Sequence, residues 1–232
     1  MSLLRDLQKY AITKDFFEEF NNTTYVESEK PNNEKHTTSI VKPKTDITKP
    51  QYNSLFWTLY AIIESEHQLS MIKNHEFKIK NLFSMKFVED IKQNKAFLKQ
   101  NKLRFHEIEA SMLYDKDINI STLKAIVLFN RMNMFYIWNN RYYIFESNED
   151  DHFNIIIRER EKYTFERELS KKYIMENIVK DKLYMEDVRI QLKSMTSYKL
   201  DDLKSMAKTL GIDIETKKTK QLLYEEINSK ID

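Results

Sequence analysis

Glycine occurs only once in the 232 residues of this chain, and proline occurs only three times. Glycine supplies the positive-φ turns of a backbone and its close approach to bound phosphates. A chain with a single glycine therefore has few tight turns. It also has no glycine-rich phosphate loop, of either the Walker or the dinucleotide type.

The complete absence of cysteine excludes several further kinds of site from this chain. It excludes a disulfide framework, a cysteine-type zinc site and a thiol nucleophile. The N-terminus lacks the charged-then-apolar layout of a secretory signal, so we expect a reducing intracellular compartment and no secretion. No apolar run reaches the roughly eighteen residues that a membrane span requires, so we expect none.

Charge is nearly balanced, with 38 basic and 36 acidic residues and a net charge of +2. A non-specific nucleic-acid coat needs a strong basic excess, so any contact with nucleic acid has to be local. Hydrophobic residues make up 41% of the chain and aromatic residues 12%, which is enough for a core and argues against a wholly disordered protein.

The N-terminal fifth of the chain changes character at about residue 20. Residues 1–20 place apolar side chains at three- and four-residue spacings, which predicts an amphipathic helix. Residues 21–50 hold all three prolines and show no apolar period, so we interpret them as an extended arm or linker that meets a protein partner.

The body, at residues 51–159, opens with an apolar stretch that predicts a buried helix from Ser54 to Ile63. Further helices are predicted at residues 87–100, 105–114 and 121–130, the last of them capped by Ser121. Three strands then follow, at Met134–Trp138, Tyr142–Glu146 and Phe153–Arg158, with a tight turn at residues 139–141. The predicted fold class is α+β and mainly helical, with helices followed by a short antiparallel sheet.

The first two strands form a dense aromatic hairpin. Alternating aromatic side chains can stack single-stranded bases, but on a hairpin they more often supply core, and we expect core for most of them. The residues concerned are Phe135, Tyr136, Trp138, Tyr142, Tyr143 and Phe145.

Two helical segments are predicted after the body. Residues 160–194 are rich in charge and place Phe165, Leu169, Tyr173 and Ile174 on one face, which predicts a charged connecting helix. Residues 195–232 predict a small helix–loop–helix module, whose first helix ends at Gly211, where a positive φ is wanted.

This C-terminal module resembles the SAP domain and the N-terminal module of the Rho termination factor. The residues that match the family pattern are Leu203, Ala207, Leu210, Gly211, Ile212, Lys220, Leu223, Tyr224 and Ile227. The resemblance implies that the loop and the start of the second helix face DNA or RNA, which indicates Lys217, Lys218 and Lys220 as nucleic-acid-binding residues. Seven lysines and seven acids balance within the module, so it fits a protein-docking surface equally well.

A second resemblance concerns the start of the body. The segment from Gln51 to Leu59 resembles the nucleophile segment of OTU-type, papain-like cysteine proteases, with Ser54 at the cysteine position. That likeness implies that Ser54 is the nucleophile and that His152 is the base. A serine there needs a better base and a better oxyanion site than a cysteine, which favours an inactive scaffold. The simpler interpretation makes Ser54 a helix cap and His152 a surface residue.

The remaining side chains indicate no cofactor. The five histidines lack metal-ligand spacing, so we expect no metal site. The layout and the Lys/Asn/Ile-rich composition resemble those of proteins from large nucleocytoplasmic DNA viruses. We expect a non-enzymatic viral protein, in a virion or on a genome, whose C-terminal module docks on DNA or on a protein. The alternative is an OTU-like peptidase, or its inactivated derivative, that uses Ser54 and His152.

Overall fold

The computed structural model describes residues 51–72, 75–190, 192–214 and 218–231, all of which belong to one compact unit. The predicted N-terminal helix and the predicted arm, at residues 1–20 and 21–50, lie outside these residues. The described part is α+β and mainly helical, which confirms the predicted fold class.

Helices come first along the described chain. They are α1 (Leu55–Glu64), α2 (Glu66–Met71), α3 (Glu76–Gln93), α4 (Lys95–Gln100), α5 (Phe105–Leu113) and α6 (Ile120–Phe129). The predicted helix at residues 87–100 is divided at Asn94, whose side chain caps α4 by accepting a hydrogen bond from the amide of Phe97. Asn119, rather than the predicted Ser121, caps α6.

The sheet contains five strands, where the sequence predicted three. They are β1 (Met134–Trp138), β2 (Arg141–Phe145), β3 (His152–Glu159), β4 (Lys162–Ser170) and β5 (Leu183–Tyr184), in the order β4-β3-β1-β2-β5. The prediction of a purely antiparallel sheet is wrong, because β1 pairs with β3, and β2 with β5, in parallel. The predicted tight turn between β1 and β2 is confirmed by the positive φ of Asn139, +54°.

The connecting helix predicted at residues 160–194 is also wrong. Its first part is β4, and a short helix, α7 (Lys171–Asn177), follows. The four-residue spacing of Phe165 and Leu169 fits a strand as well as a helix, since four is a multiple of the strand period of two. Glu168 has a φ of +56° beside a break in the β3–β4 register, and this bulge turns Leu169 to the opposite face from Phe165.

The two faces of the sheet are covered differently. Tyr136, Tyr143 and Phe145 point into a large core shared with helices α1 and α3 to α6, whereas Phe135 and Tyr142 join a smaller cluster with α7. All five side chains are buried, so the predicted core role of the aromatic hairpin is confirmed for them.

The C-terminal helix–loop–helix consists of α8 (Leu200–Thr209) and α9 (Lys220–Ile231). Gly211 adopts the predicted positive φ, +64°, directly after Leu210, the C-cap of α8. Leu203 and Ile227 are fully buried within the same core cluster as the body, and Asn140 of the β1–β2 turn donates a hydrogen bond to the carbonyl of Lys230 at 2.7 Å. The helix pair is therefore packed as part of the body.

Candidate functional site

Ser54 is the N-cap of α1, as the simpler interpretation of the sequence predicts. Its hydroxyl accepts a hydrogen bond from the amide of Trp57 and donates one to Asp117 Oδ1 at 2.9 Å. Asp117 also accepts hydrogen bonds from the amides of Leu55 at 2.6 Å and Phe56 at 3.0 Å. A carboxylate thus sits at the positive end of the α1 dipole, where it stabilises the helix.

This arrangement has a consequence for catalysis. If Ser54 were a nucleophile, the first-turn amides of α1 would be the natural donors to a developing oxyanion. Asp117 occupies those donors and also holds the Ser54 hydroxyl. The serine and the aspartate form a structural cap.

The structure does not bring His152 to Ser54. Tyr52, two residues before Ser54, bridges to Tyr163, which pairs with Arg158 near one end of β3. His152 begins β3 at its other end, six residue steps away, or about 20 Å at roughly 3.3 Å per residue. Its imidazole is exposed and lies 2.8 Å from Asp150 Oδ1, and this hydrogen bond raises the pKa of His152.

The three lysines indicated by the SAP resemblance have different surroundings. Lys217 lies outside the described residues. Lys218 is mostly buried and forms a 2.7 Å ion pair with Glu226 of α9, so its charge is neutralised within the module. Lys220 is the first residue of α9.

A row of cationic and aromatic side chains crosses the sheet. Tyr163, Arg158, Trp138 and Arg141 are successive partners in the β4-β3-β1-β2 register and therefore share a face. The Trp138 ring lies 4.3 Å from the Arg158 guanidinium on one neighbouring strand and 3.9 Å from the Arg141 guanidinium on the other. These are close cation–π contacts, in a row that brings two positive charges to one tryptophan.

The two arginines differ in their access to solvent. Arg141 is only 1% exposed, and its Nε and Nη1 atoms have no hydrogen-bond partner among the described residues. Arg158 is half-buried and lines a cavity, and its Nε donates to the carbonyl of Arg160 at 3.0 Å. No carboxylate of the described part lies within ion-pair distance of either guanidinium.

The cavity beside this row, which we name the row cavity, has a volume of about 710 Å³. Tyr136, Trp138, Arg158 and Tyr163 form its sheet wall. The Tyr136 hydroxyl is buried, and no group within the described ranges accepts its proton. Burial raises the pKa of Tyr136, and the phenol of Tyr163 adds to the rise, whereas the charge of the Arg158 guanidinium and its hydrogen bond to the phenol oxygen oppose it.

The row cavity adjoins a second depression, of about 540 Å³, which we name the module groove. Tyr198 and Met206 of the C-terminal region form one wall of this groove. The groove is lined by five cations and three carboxylates: Lys102, Arg104, Lys124, Arg189, Lys193, Glu107, Glu186 and Asp187.

Each groove carboxylate is paired with one cation. The pairs are Arg104–Glu107 at 2.9 Å, Arg189–Asp187 at 3.2 Å and Lys193–Glu186 at 3.3 Å. The five cations of the groove thus outnumber its three carboxylates by two, and the two cations outside these ion pairs are Lys102 and Lys124. Burial lowers the pKa of Lys124, and the charges of Lys102 and Arg189 lower it further, whereas Asp187 opposes the drop.

Comparisons with protein-family models, with curated proteins and with solved structures found no match to this chain. Among the described residues, no group of three or more histidine, aspartate or glutamate side chains is placed to hold a metal ion. Across the same part of the chain, no helix has both the length and the apolar character needed to cross a membrane.

Sequence reasoning named Tyr136 and Trp138 only as members of the aromatic hairpin, and it missed most of the other residues that meet at these cavities. Asp117 lies in a loop more than 60 residues from the helix that it caps, and no local pattern indicates that contact. The sequence did contain a signal for Arg158 and Trp138. Each places a polar or amphipathic side chain on a face of its strand that is otherwise apolar. The pairing register was needed to bring them together.

Proposed function

We propose that this protein is a non-enzymatic, genome-associated nucleic-acid-binding protein of a large DNA virus, and that it holds a nucleic-acid strand in the module groove. The observation that carries the proposal is the pair of lysines, Lys102 and Lys124, left in excess after every groove carboxylate is paired. A polyanion supplies the counter-charge that these lysines lack.

The electrostatics of Lys124 favour an anionic ligand. Its ammonium group is half-buried close to two other positive charges, so its charged form is destabilised in the free protein. A phosphate in the groove would offset that repulsion and raise the pKa of Lys124. Binding would then be favoured at this point of the surface, although the whole protein carries a net charge of only +2.

The size of the groove favours a single strand over a duplex. A depression of about 540 Å³ has room for part of a flexible single strand, whereas a rigid duplex would touch only its rim. Tyr198 and Met206 offer apolar surface on the module side, where bases can pack. The C-terminal helix pair thus contributes to nucleic-acid docking through its groove wall.

The peptidase alternative receives no support from the geometry. Asp117 holds Ser54 and the amides beside it, and His152 lies at the far end of β3. Docking of the helix pair on a protein is the competing outcome, and it would leave the groove lysines without effect on DNA binding.

The test measures the affinity of a labelled single-stranded DNA for the full chain and for two double variants. Lys102→Gln/Lys124→Gln removes the excess groove charge, and Lys204→Gln/Lys208→Gln removes the same charge from exposed positions on α8 that do not line the groove. We expect the groove variant to bind about tenfold more weakly or worse, and the α8 variant to bind nearly as the native protein does. Equal losses in both variants, or no binding by the native chain at low salt, would overturn the proposal.

A further inference from the structure

Three helices begin at the row cavity. Leu55 at the start of α1, Arg104 at the start of α5, and Asn119 and Ser121 at the start of α6 all line it. The first-turn N–H groups of a helix have no partner within the helix, and together with the dipole they attract anions. A helix start without a carboxylate of its own therefore adds positive potential to such a cavity.

Two of these helix starts carry their own carboxylate. Asp117 caps α1, and Glu107 lies in the first turn of α5. The start of α6 differs, because its cap is the uncharged Asn119 and its first turn contains no acid. An anion in the row cavity would therefore meet one helix N-terminus that the protein itself leaves without a negative charge.

Two side chains of the sheet face the same space. The guanidinium of Arg158 has no carboxylate partner among the described residues, and Trp138 and Tyr163 hold it in place. The hydroxyl of Tyr136 is fully buried next to that guanidinium, which can only donate, so the phenol proton has no acceptor within the same set of residues. A buried hydroxyl whose proton has no acceptor costs stability, so its presence at a cavity wall points to a bound acceptor.

We propose that the row cavity binds a phosphate monoester, with Arg158, Tyr136 and the first turn of α6 as its ligands. A guanidinium binds phosphate oxygens in a bidentate manner, a phenol donates one hydrogen bond, and helix amides donate others. The apolar walls, which include Leu55, Ile118 and Ile190, contact the nucleoside attached to the phosphate. A volume of about 710 Å³ is sufficient for a mononucleotide.

Two sources supply this chemistry. One is the terminal phosphate of a strand that lies in the adjoining module groove, and that case rests on the proposed function. The other is a free nucleoside monophosphate. The row cavity and the module groove share Arg104, Ser121 and Arg189 along their walls, so a strand can run from one into the other.

The experiment is isothermal titration calorimetry, which measures the affinity of the full chain for four ligands. They are AMP, adenosine, and a single-stranded oligonucleotide with either a 5′-phosphate or a 5′-hydroxyl end. We expect AMP to bind and adenosine not to bind. Arg158→Gln should weaken AMP binding by about tenfold to a hundredfold, as expected for lost hydrogen bonds to a charged group. The matched control is Arg160→Gln, which removes the same charge from an exposed side chain and should leave the affinity within about twofold.

Tyr136→Phe is the second variant, and it separates a binding role from a structural one. The phenol proton has no acceptor among the described residues, so loss of the hydroxyl should leave the melting temperature nearly unchanged while it weakens AMP binding by about fivefold to tenfold. Unchanged AMP affinity in a stably folded Tyr136→Phe protein would overturn the proposal, even if Arg158→Gln failed to fold.

The oligonucleotides separate the two proposals. Tighter binding of the 5′-phosphorylated strand supports the row cavity as a strand-end site. Equal binding of both strands with no binding of AMP would overturn the phosphate site in the row cavity and leave strand binding in the module groove unaffected. Binding of AMP with no binding of either strand would overturn the proposed function and leave the row cavity as a nucleotide site.

Discussion

The substitution Asp117→Asn tests whether the Ser54 region is a structural cap. The carboxylate accepts four hydrogen bonds, from the Ser54 hydroxyl and from the amides of Leu55, Phe56 and Ile118, at 2.6–3.0 Å. Asparagine keeps one acceptor oxygen, but it places an NH₂ group opposite an amide donor and removes the negative charge from the helix start.

The expected loss follows from these two changes. One hydrogen bond to a charged group contributes about 1.5–3 kcal/mol, and a charge at a helix terminus about 0.3–1 kcal/mol. We expect Asp117→Asn to lower the free energy of unfolding by about 2–4 kcal/mol, and Ser54→Ala by about 1 kcal/mol. The double variant should lose less stability than the sum of the two single-variant losses, because both residues belong to one hydrogen-bonded cap.

The assay is equilibrium unfolding in urea, followed by far-UV circular dichroism. Asp115→Asn is the matched control, since Asp115 is exposed two residues away, and it should change stability by less than about 0.5 kcal/mol. If Asp117→Asn were as mild as Asp115→Asn, the carboxylate would not be capping α1. A structural role for Ser54 would then be refuted.

Three further predictions concern His152, the C-terminal helices and the loop before β3. The folded-state pKa of His152 is raised by Asp150, so an NMR titration should place it above the ordinary histidine value, and Asp150→Asn should return it there. The pair's contribution to stability is complete between the ordinary pKa values of the aspartate and the histidine; it is lost as the pH rises through the raised pKa of His152, and as the pH falls through the lowered pKa of Asp150. Leu203→Ala should cost about 2–5 kcal/mol in a single unfolding transition, because the fully buried Leu203 shares the core of the body; a separate early transition of α8 and α9 would contradict this. Asn133→Ala should cost about 2–4 kcal/mol in the same assay, because its buried side chain bonds both Asn148 and the carbonyl of Asp150, and a loss below about 0.5 kcal/mol would argue against that role.

Local patterns in the sequence were sufficient for several elements. The predicted strand Met134–Trp138 has the observed bounds, because its apolar run is flanked by asparagines that mark turns. The positive φ at Gly211 followed from the need to end a helix. These features depend on a few neighbouring residues, so one sequence is enough to predict them.

The remaining features depend on contacts distant in sequence. The strand Lys162–Ser170 was predicted as a helix because a bulge at Glu168 interrupts its alternation, and only pairing with β3 fixes such a bulge. The module groove was not predictable for the same reason. Its three ion pairs are local in sequence, but only folding brings residues 102–107, Lys124 and residues 186–193 to one groove and places Lys102 and Lys124 beside these pairs.

The salt dependence of single-stranded DNA binding tests the central claim most directly. Each phosphate contact contributes about 0.7 to the slope of log K against log salt concentration for a single strand. We predict that Lys102→Gln/Lys124→Gln lowers the magnitude of the slope by about 1.4 relative to the native chain. A triple variant of Lys217, Lys218 and Lys220 to glutamine is predicted to change it less. An unchanged slope in the groove variant, with a reduced slope in the triple variant, would contradict the account and move the contact to the loop of the C-terminal module.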